Sequence, residues 1–202
     1  MKRPYSTVND KKILIIGGTG SLGQTLIRRF IKDRSNNTVL VVSRDEAKHW
    51  TIKNEYKEHP SAARLRFAVG DIRDQSRVAQ LLKNFEPNIV IMAAALKQVD
   101  TCEMAPEESI KTNLLGIQSV LDAVDSLNSP EWLESVLLVS TDKASEPINV
   151  YGMCKAISER LTTSRDQEHS AIKHIAVRYG NVLESRGSIL PLFKWQAENA
   201  DC

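Results

Sequence analysis

Four ionisable side chains fall within fourteen positions of one stretch, STDKASEPINVYGMCK: Asp142, Lys143, Tyr151 and Lys155. Tyr151 and Lys155 stand four apart, so on a helix they share a face. A free phenol ionises at about pH 10 and is a poor base at neutral pH, but a nearby ammonium favours the phenolate. Such a pair can take the proton of a sugar hydroxyl while the carbon gives up a hydride to a nicotinamide. Asp142 and Lys143 read as a loop ion pair, or as a second proton-transfer unit. In the second case one group removes a carbon-bound proton beside a ketone and the other protonates a departing hydroxyl, which is what an elimination requires.

A hydride step needs a cofactor, and GGTGSLG at 17–23 has the form of a cradle for one. Gly17, Gly20 and Gly23 follow an apolar run and open a helical pattern. Glycine there permits a sharp turn, close approach to a pyrophosphate and tight helix packing, while the helix amino end offers free N–H groups. Thr19, Ser21 and Leu22 complete this loop. A glycine-rich turn alone also occurs for purely structural reasons; the strand before and the helix after are what raise its meaning.

The second apolar run ends at Ser43 and Arg44, with Lys48 one helical turn on. An acidic residue at that end would take a ribose 2′-hydroxyl; a cation pairs with a 2′-phosphate, so NADP is expected rather than NAD. The alternative is a solvated arginine beside Asp45 and Glu46. In GDIRD at 70–74, Asp71 can accept from an adenine amino group and Ile72 can pack on the ring; Asp71 and Asp74 also suit a helix start. Ala93 and Ala94 in AAALKQV are small enough to let a cofactor lie against the backbone, or to pack tightly.

These groups need a scaffold that brings them to one rim. The runs 12–18, 38–43, 64–71, 88–95, 135–141 and 174–180 are apolar on both faces, as buried parallel strands are. Between them lie helical stripes: Leu22, Leu26, Ile27 and Phe30; Val78, Leu81 and Leu82; Ile110, Leu114, Ile117 and Leu121. Six strands with helical crossovers predict an α/β fold, a doubly wound parallel sheet that binds ligands at the carboxyl ends of its strands.

With 202 residues, 42% hydrophobic and 26% charged, the chain has the composition of a soluble globular domain. A net charge of +2, from 27 basic and 25 acidic residues, gives no argument for nucleic acid or an anionic membrane. Cys102, Cys154 and Cys202 have no metal-ligand spacing, so no metal is expected and a reducing, cytoplasmic setting fits. The longest apolar run, IVIMAAAL at 89–96, falls far short of the roughly 20 residues of a membrane helix.

GGTGSLG, SRDE, GDIRD, AAALK, KTNLLG, STDKA, YGMCK and RYGNVLESRGS occur in this order and together resemble the inverting UDP-N-acetylglucosamine 4,6-dehydratases of the extended short-chain dehydrogenase/reductase superfamily. The resemblance covers roughly residues 11–196. It implies a Rossmann domain at 11–181 after an extension at 1–10, with 182–202 beginning a substrate-binding region. It implies that Tyr151 oxidises C4 and that Lys155 holds the nicotinamide ribose and lowers the tyrosine pKa. Lys143 would then remove the C5 proton and Asp142 help expel the C6 hydroxyl, with hydride returned to C6 and C5 reprotonated from the opposite face.

By the same resemblance Ser140 and Thr141 line the nicotinamide and sugar. Lys97 reaches cofactor and substrate, Asn181 and Arg186 contact the nucleotide-sugar, and Asn113 is the family's structural and active-site asparagine. The chain would be a homo-oligomer by analogy. Gln98, Asp100 and Glu184 depart from the family pattern, where His, Pro and Gly are usual, and bear on substrate choice. Family members run to roughly 330 residues, so the short carboxyl end reads as a truncation. The competing expectations are a UDP-sugar C4 epimerase, which needs Tyr151 but no second acid–base pair, and an NADP-binding module without turnover.

Overall fold

Strand β1 (Lys12–Ile16) lies at the centre of a six-stranded, wholly parallel sheet, with β2 (Thr38–Ser43) on one side and β4 (Ile89–Met92) on the other. Outward from these come β3 (Leu65–Val69) beyond β2, and β5 (Ser135–Val139) then β6 (Lys173–Val177) beyond β4. The order β3-β2-β1-β4-β5-β6 is that of the doubly wound dinucleotide-binding fold, with its switch point between β1 and β4. This computed structural model describes residues 8–32, 35–166, 171–182, 193 and 196–199.

The expected strands all form, but two or three residues short of some expected ends: those drawn to Gly18, Asp71, Ala95, Thr141 and Gly180 stop at Ile16, Val69, Met92, Val139 and Val177. The small and apolar residues that follow belong to the rim loops, and composition does not separate them from strand.

Alternate strand residues feed two cores, as a sheet covered on both faces requires. Leu14, Ile16, Val42, Val90, Met92 and Leu138 pack with helices α3 (Gln75–Phe85) and α6 (Gly116–Asp125). Ile13, Ile15, Val39, Val41 and Ile91 pack with α1 (Ser21–Lys32) and α2 (Glu46–Glu55). Side chains cap these helices: Asp45 accepts from Lys48 N–H at 3.1 Å, and Asp74 from Arg77 N–H at 2.9 Å.

Helices α4 (Val99–Met104) and α5 (Pro106–Ile110) follow β4, and a π-helical turn at Lys111–Leu115 joins α5 to α6. The wider turn inserts a residue and rotates the register. Ile110, expected on the buried stripe with Ile117 and Leu121, is therefore 40% exposed, while Thr112 and Asn113 turn inward. Helix α7 (Val150–Thr163) crosses from β5 to β6.

Candidate functional site

The glycine loop is fixed by close backbone contacts. Gly17 has φ +85°, and its N–H donates to the Val42 carbonyl at 2.8 Å. A Cβ on Gly17 would lie 2.4 Å from the Ala94 nitrogen, so the loop stays against the start of the β4–α4 connection only as glycine. A Cβ on Gly23 would come 2.3 Å from the Gly18 carbonyl oxygen, which sets how closely α1 packs on the loop. Gly20 differs: its Cβ would meet only Gly17 O, at 3.4 Å, and the residue is exposed. No acidic side chain stands in the first turn of α1. The loop is thus thin, open over Gly20 and positive at the helix end, which fits a pyrophosphate. Ser21 and Leu22 begin α1, and Thr19 is buried with its carbonyl accepting from Gln24.

At the neighbouring strand ends, Arg44 lies 3.7 Å from Asp71 with its side chain 59% exposed. An exposed pair of that length is worth well under about 1 kcal/mol, so the guanidinium is easily redirected. Lys48 instead pairs with Asp45. Asp71 receives Arg73 at 2.7 Å, and the Arg73 hydrogen bond holds its carboxyl below the usual range. Asp74, not Asp71, caps the helix. The reading of Ile72 changes: its side chain is 4% exposed and belongs to the core, with Cγ2 2.8 Å from where a Cβ on Gly116 would stand. It faces inward, so it offers no stacking surface for an adenine.

The carboxyl end of β5 carries the second half of the site. Ser140 N–H donates to the Val177 carbonyl and Asp142 N–H to the Tyr179 carbonyl, tying β5 to the β6 end at 2.8 and 3.0 Å. Asp142–Ala144 forms one 3₁₀ turn capped by Thr141. The Asp142 carboxylate accepts from the Thr141 hydroxyl at 2.9 Å, from Lys143 N–H at 2.9 Å and from the Lys143 ammonium at 3.3 Å. The Thr141 hydrogen bond, then Lys143, keeps Asp142 below the usual carboxylate range.

Tyr151 is buried on the first turn of α7, and its hydroxyl interacts with the Thr141 side chain. Thr141, Asp142, Lys143 and Tyr151 therefore meet at one place. Burial, then the Tyr179 phenol, pushes the Tyr151 hydroxyl up to about 12. Lys155 is 2% exposed and donates to the Val139 carbonyl at 2.9 Å; burial brings its ammonium down to about 8. The expectation that Lys155 lowers the tyrosine pKa is corrected for the ligand-free chain: desolvation dominates both groups, and the lysine's charge is turned to the strand carbonyl.

Lys97 is exposed in the loop after β4, and Asn113 holds the residue before it: Asn113 accepts from Leu96 N–H and donates to Leu96 C=O, both at 2.8 Å. The Asn113 carbonyl accepts from the Ser158 hydroxyl of α7 at 2.8 Å. Ala93 and Ala94 are half-buried beside Gly17. Asn181 is exposed just past the β6 end; Arg186 and residues 183–192 lie outside the described residues. Ser140 is buried with no protein hydrogen-bond partner within 3.5 Å of its hydroxyl, although it is near enough to Glu159 to favour that carboxylate.

Three supports escaped the sequence reading. Asn149 caps α7 through Gly152 N–H at 2.8 Å, Glu103 of α4 accepts from Val150 N–H at 2.7 Å, and Glu159 holds Arg178 at 2.6 and 2.8 Å. The first had a signal, an asparagine three residues before a glycine at a helix start. The other two span 47 and 19 positions and had none. Among the described residues no cluster of three or more His, Cys, Asp or Glu could hold a metal, and no helix is long and apolar enough to cross a membrane.

A family model described as polysaccharide biosynthesis protein matches residues 13–201. A UDP-glucose 4-epimerase of Rickettsia rickettsii is 39% identical over 189 residues, covering 91% of this chain and 52% of that protein. A UDP-N-acetylglucosamine 4,6-dehydratase (inverting) of Campylobacter jejuni is 36% identical over 188 residues, covering 92% and 53%. Among solved structures, Pen from Bacillus thuringiensis superposes with a TM-score of 0.86 at 33% identity, over 96% of this chain and 60% of that one. The chain spans about half the length of the curated relatives it matches.

Proposed function

The chain belongs to the polysaccharide biosynthesis protein family within the extended short-chain dehydrogenase/reductase superfamily, and from that membership we propose that it carries the cofactor-binding and proton-transfer half of an NADP-dependent UDP-sugar 4,6-dehydratase, acting on UDP-N-acetylglucosamine. The observation that carries this reading is the Asp142–Lys143 pair, held beside Tyr151 by the same 3₁₀ turn. A C4 epimerase needs the tyrosine and the cofactor; a second acid–base pair is idle in it.

The residues divide the work. Tyr151, oriented by Thr141, takes the proton of the C4 hydroxyl. A bound nicotinamide dinucleotide supplies the acceptor for the C4 hydride, its return to C6, and a positive charge that favours the phenolate. Lys155 anchors the dinucleotide-facing side of α7 against β5. The C4 ketone acidifies the C5 proton. As found, Lys143 and Asp142 are an ammonium and a carboxylate 3.3 Å apart. One proton moved across that contact leaves a neutral amine and a carboxylic acid, the base for C5 and the acid for the departing C6 hydroxyl. Desolvation by a seated sugar favours that neutral pair over the ion pair.

One finding favours the second reading, UDP-sugar 4-epimerisation: the Rickettsia relative of that name is 39% identical. Mass spectrometry of the product from UDP-N-acetylglucosamine separates the two. Loss of one water supports dehydration, and an isomer of unchanged mass sinks it.

A further inference from the structure

Ser43 ends β2 with its two polar groups committed in different directions. Its carbonyl accepts from Gly70 N–H at 3.1 Å, and its hydroxyl lies 2.8 Å from Nε2 of His49. His49 is 7% exposed on α2, with its ring 5.3 Å from that of Phe67 on β3. The imidazole is thus fixed by packing, and its partner is the half-buried serine next to Arg44 at the strand end read above as the ribose end of the dinucleotide cradle.

We propose that His49 sets the hydrogen-bond polarity of Ser43 toward the 2′ position of the cofactor ribose, so that protonation of the imidazole selects the 2′-phosphorylated dinucleotide. This rests on the reading of the β2 end as the ribose site and adds a specificity residue to it. A serine hydroxyl has one proton. When Nε2 accepts that proton, Ser43 shows only lone pairs to the ribose and suits a 2′-hydroxyl, which donates. When the imidazole is protonated, Nε2 can only donate, and the Ser43 proton is free for a phosphate, which at neutral pH mainly accepts.

The surroundings of His49 allow such a switch. Burial favours the neutral ring, and Asp45 and Glu46 at the start of α2 favour the cation. From β3 the ring meets Phe67, and from β2 it meets Ser43, neither of which carries charge. A dianionic phosphate brought to this end adds to the carboxylates' side, so binding NADP draws a proton onto the ring. The phosphate itself, with a second pKa of about 6, releases a proton when it meets Arg44. The two proton movements have opposite signs, which makes them separable.

Calorimetric titration of the 202-residue chain with NADP and NAD, in buffers of different ionisation heat at pH 6 and pH 8, tests the proposal. Wild type is expected to take up more protons on NADP binding at pH 6 than His49→Gln, by up to about one per site. Its NADP-to-NAD affinity ratio is expected to rise about tenfold more between pH 8 and pH 6 than that of His49→Gln, the size of one charge-assisted hydrogen bond. Ring resonances of His49 in the unmutated chain supply the check that needs no variant: NADP raises the titration midpoint and NAD does not. Equal proton counts and equal ratios in wild type and His49→Gln, with Arg44→Ala still abolishing the NADP preference, overturn the role of His49 alone. An NADP preference indifferent to Arg44→Ala overturns the reading of the strand end, and this proposal with it.

Discussion

The carbonyl oxygen of Lys143 stands 2.4 Å from where a Cβ on Gly152 would be. The turn that carries the Asp142–Lys143 pair therefore rests on the backbone of α7, one residue after Tyr151. The Asp142–Lys143 pair and Tyr151, proposed above as two proton-transfer groups, are separated by seven residues and share one support, and only glycine at 152 permits the contact.

Gly152→Ala tests that support. In a helix, alanine is favoured over glycine by about 1 kcal/mol. Here the added methyl meets backbone, which cannot rotate away, and overpacking of this kind costs about 1–3 kcal/mol. The clash is expected to win: urea denaturation should show net destabilisation, and dehydration should fall further than NADP binding does. A stabilised, fully active Gly152→Ala would mean that the turn does not need this contact.

Lys143→Ala removes a half-exposed side chain that pairs with Asp142. Stability should change by less than about 0.5 kcal/mol. Release of water from UDP-N-acetylglucosamine should drop by about 10²–10⁴-fold. Oxidation at C4, followed as reduced cofactor absorbance under single turnover, should persist. Unimpaired water release in the variant removes Lys143 from the reaction.

Lys155 gives a pH dependence of known sign. Its folded pKa, about 8, lies below the roughly 10.4 of an unfolded lysine. The unfolded chain thus holds more of this proton between those values, and the group's contribution to stability rises across that window. Below pH 8 both states carry the charge and the folded state bears its burial. Lys155→Met, an isosteric apolar replacement, should be more stable than wild type at pH 7 by up to about 3 kcal/mol. That advantage should shrink as pH rises from 8 to 10.5, while dinucleotide affinity falls at every pH. Thermal melts of the two proteins across that range decide it.

His174 sits in β6, buried, with no protein hydrogen-bond partner within 3.5 Å of either ring nitrogen, although the Ile172 backbone is near enough to favour its cation. Burial holds its pKa below 6.5, opposed first by the Ile172 backbone and then by Asp125 and Asp166. Its folded pKa is the lower one, so stability falls as pH drops through the unfolded value of about 6.5. His174→Phe should flatten that acid limb in denaturant titrations at pH 5–7. A limb of unchanged steepness would place the acid sensitivity elsewhere.

The scaffold was readable because its signals are local and repeated. Val39, Val41 and Ile13 lie in runs apolar on both faces, and Gly17, Gly20 and Gly23 stand between a strand and a helix. Three kinds of information were not local. The π turn at 111–115 shifts a helical register by one residue, so Ile110 left the stripe it seemed to share with Ile117. Ile72 shows the same weakness, since an apolar residue beside Asp71 reads alike whether it faces a ligand or Gly116. The Tyr151–Lys155 spacing gave the shared face correctly but not the direction of the ammonium, which depends on the Val139 carbonyl of another element. Spacing along a helix fixes neighbours; it does not fix what burial does to their charge.

Asn113 is the residue through which the π turn reaches the rim, and its amide can be challenged one atom at a time. It is fully buried, its oxygen accepts from Leu96 N–H, and its nitrogen donates to Leu96 C=O and to the Ser109 hydroxyl. Asn113→Leu leaves both Leu96 groups without this partner, and each orphaned buried group costs about 1–3 kcal/mol. Asn113→Asp keeps the acceptor but sets a carboxylate oxygen against the Leu96 carbonyl at a fully buried position, which raises the new carboxyl's pKa above its unfolded value. Stability is then fully present below the unfolded pKa of about 3.9 and lost as pH climbs through the folded one. Protonated, the acid can donate to the Leu96 carbonyl as the amide did. Urea titrations should therefore find Asn113→Asp at least as unstable as Asn113→Leu at pH 8, and partly restored at pH 5, where Asn113→Leu gains nothing comparable. In both variants the Lys97 loop loses its anchor, so affinity for UDP-N-acetylglucosamine should fall more than affinity for the dinucleotide. An Asn113→Asp protein as stable as wild type at pH 8 would show that the amide nitrogen is not what holds Leu96.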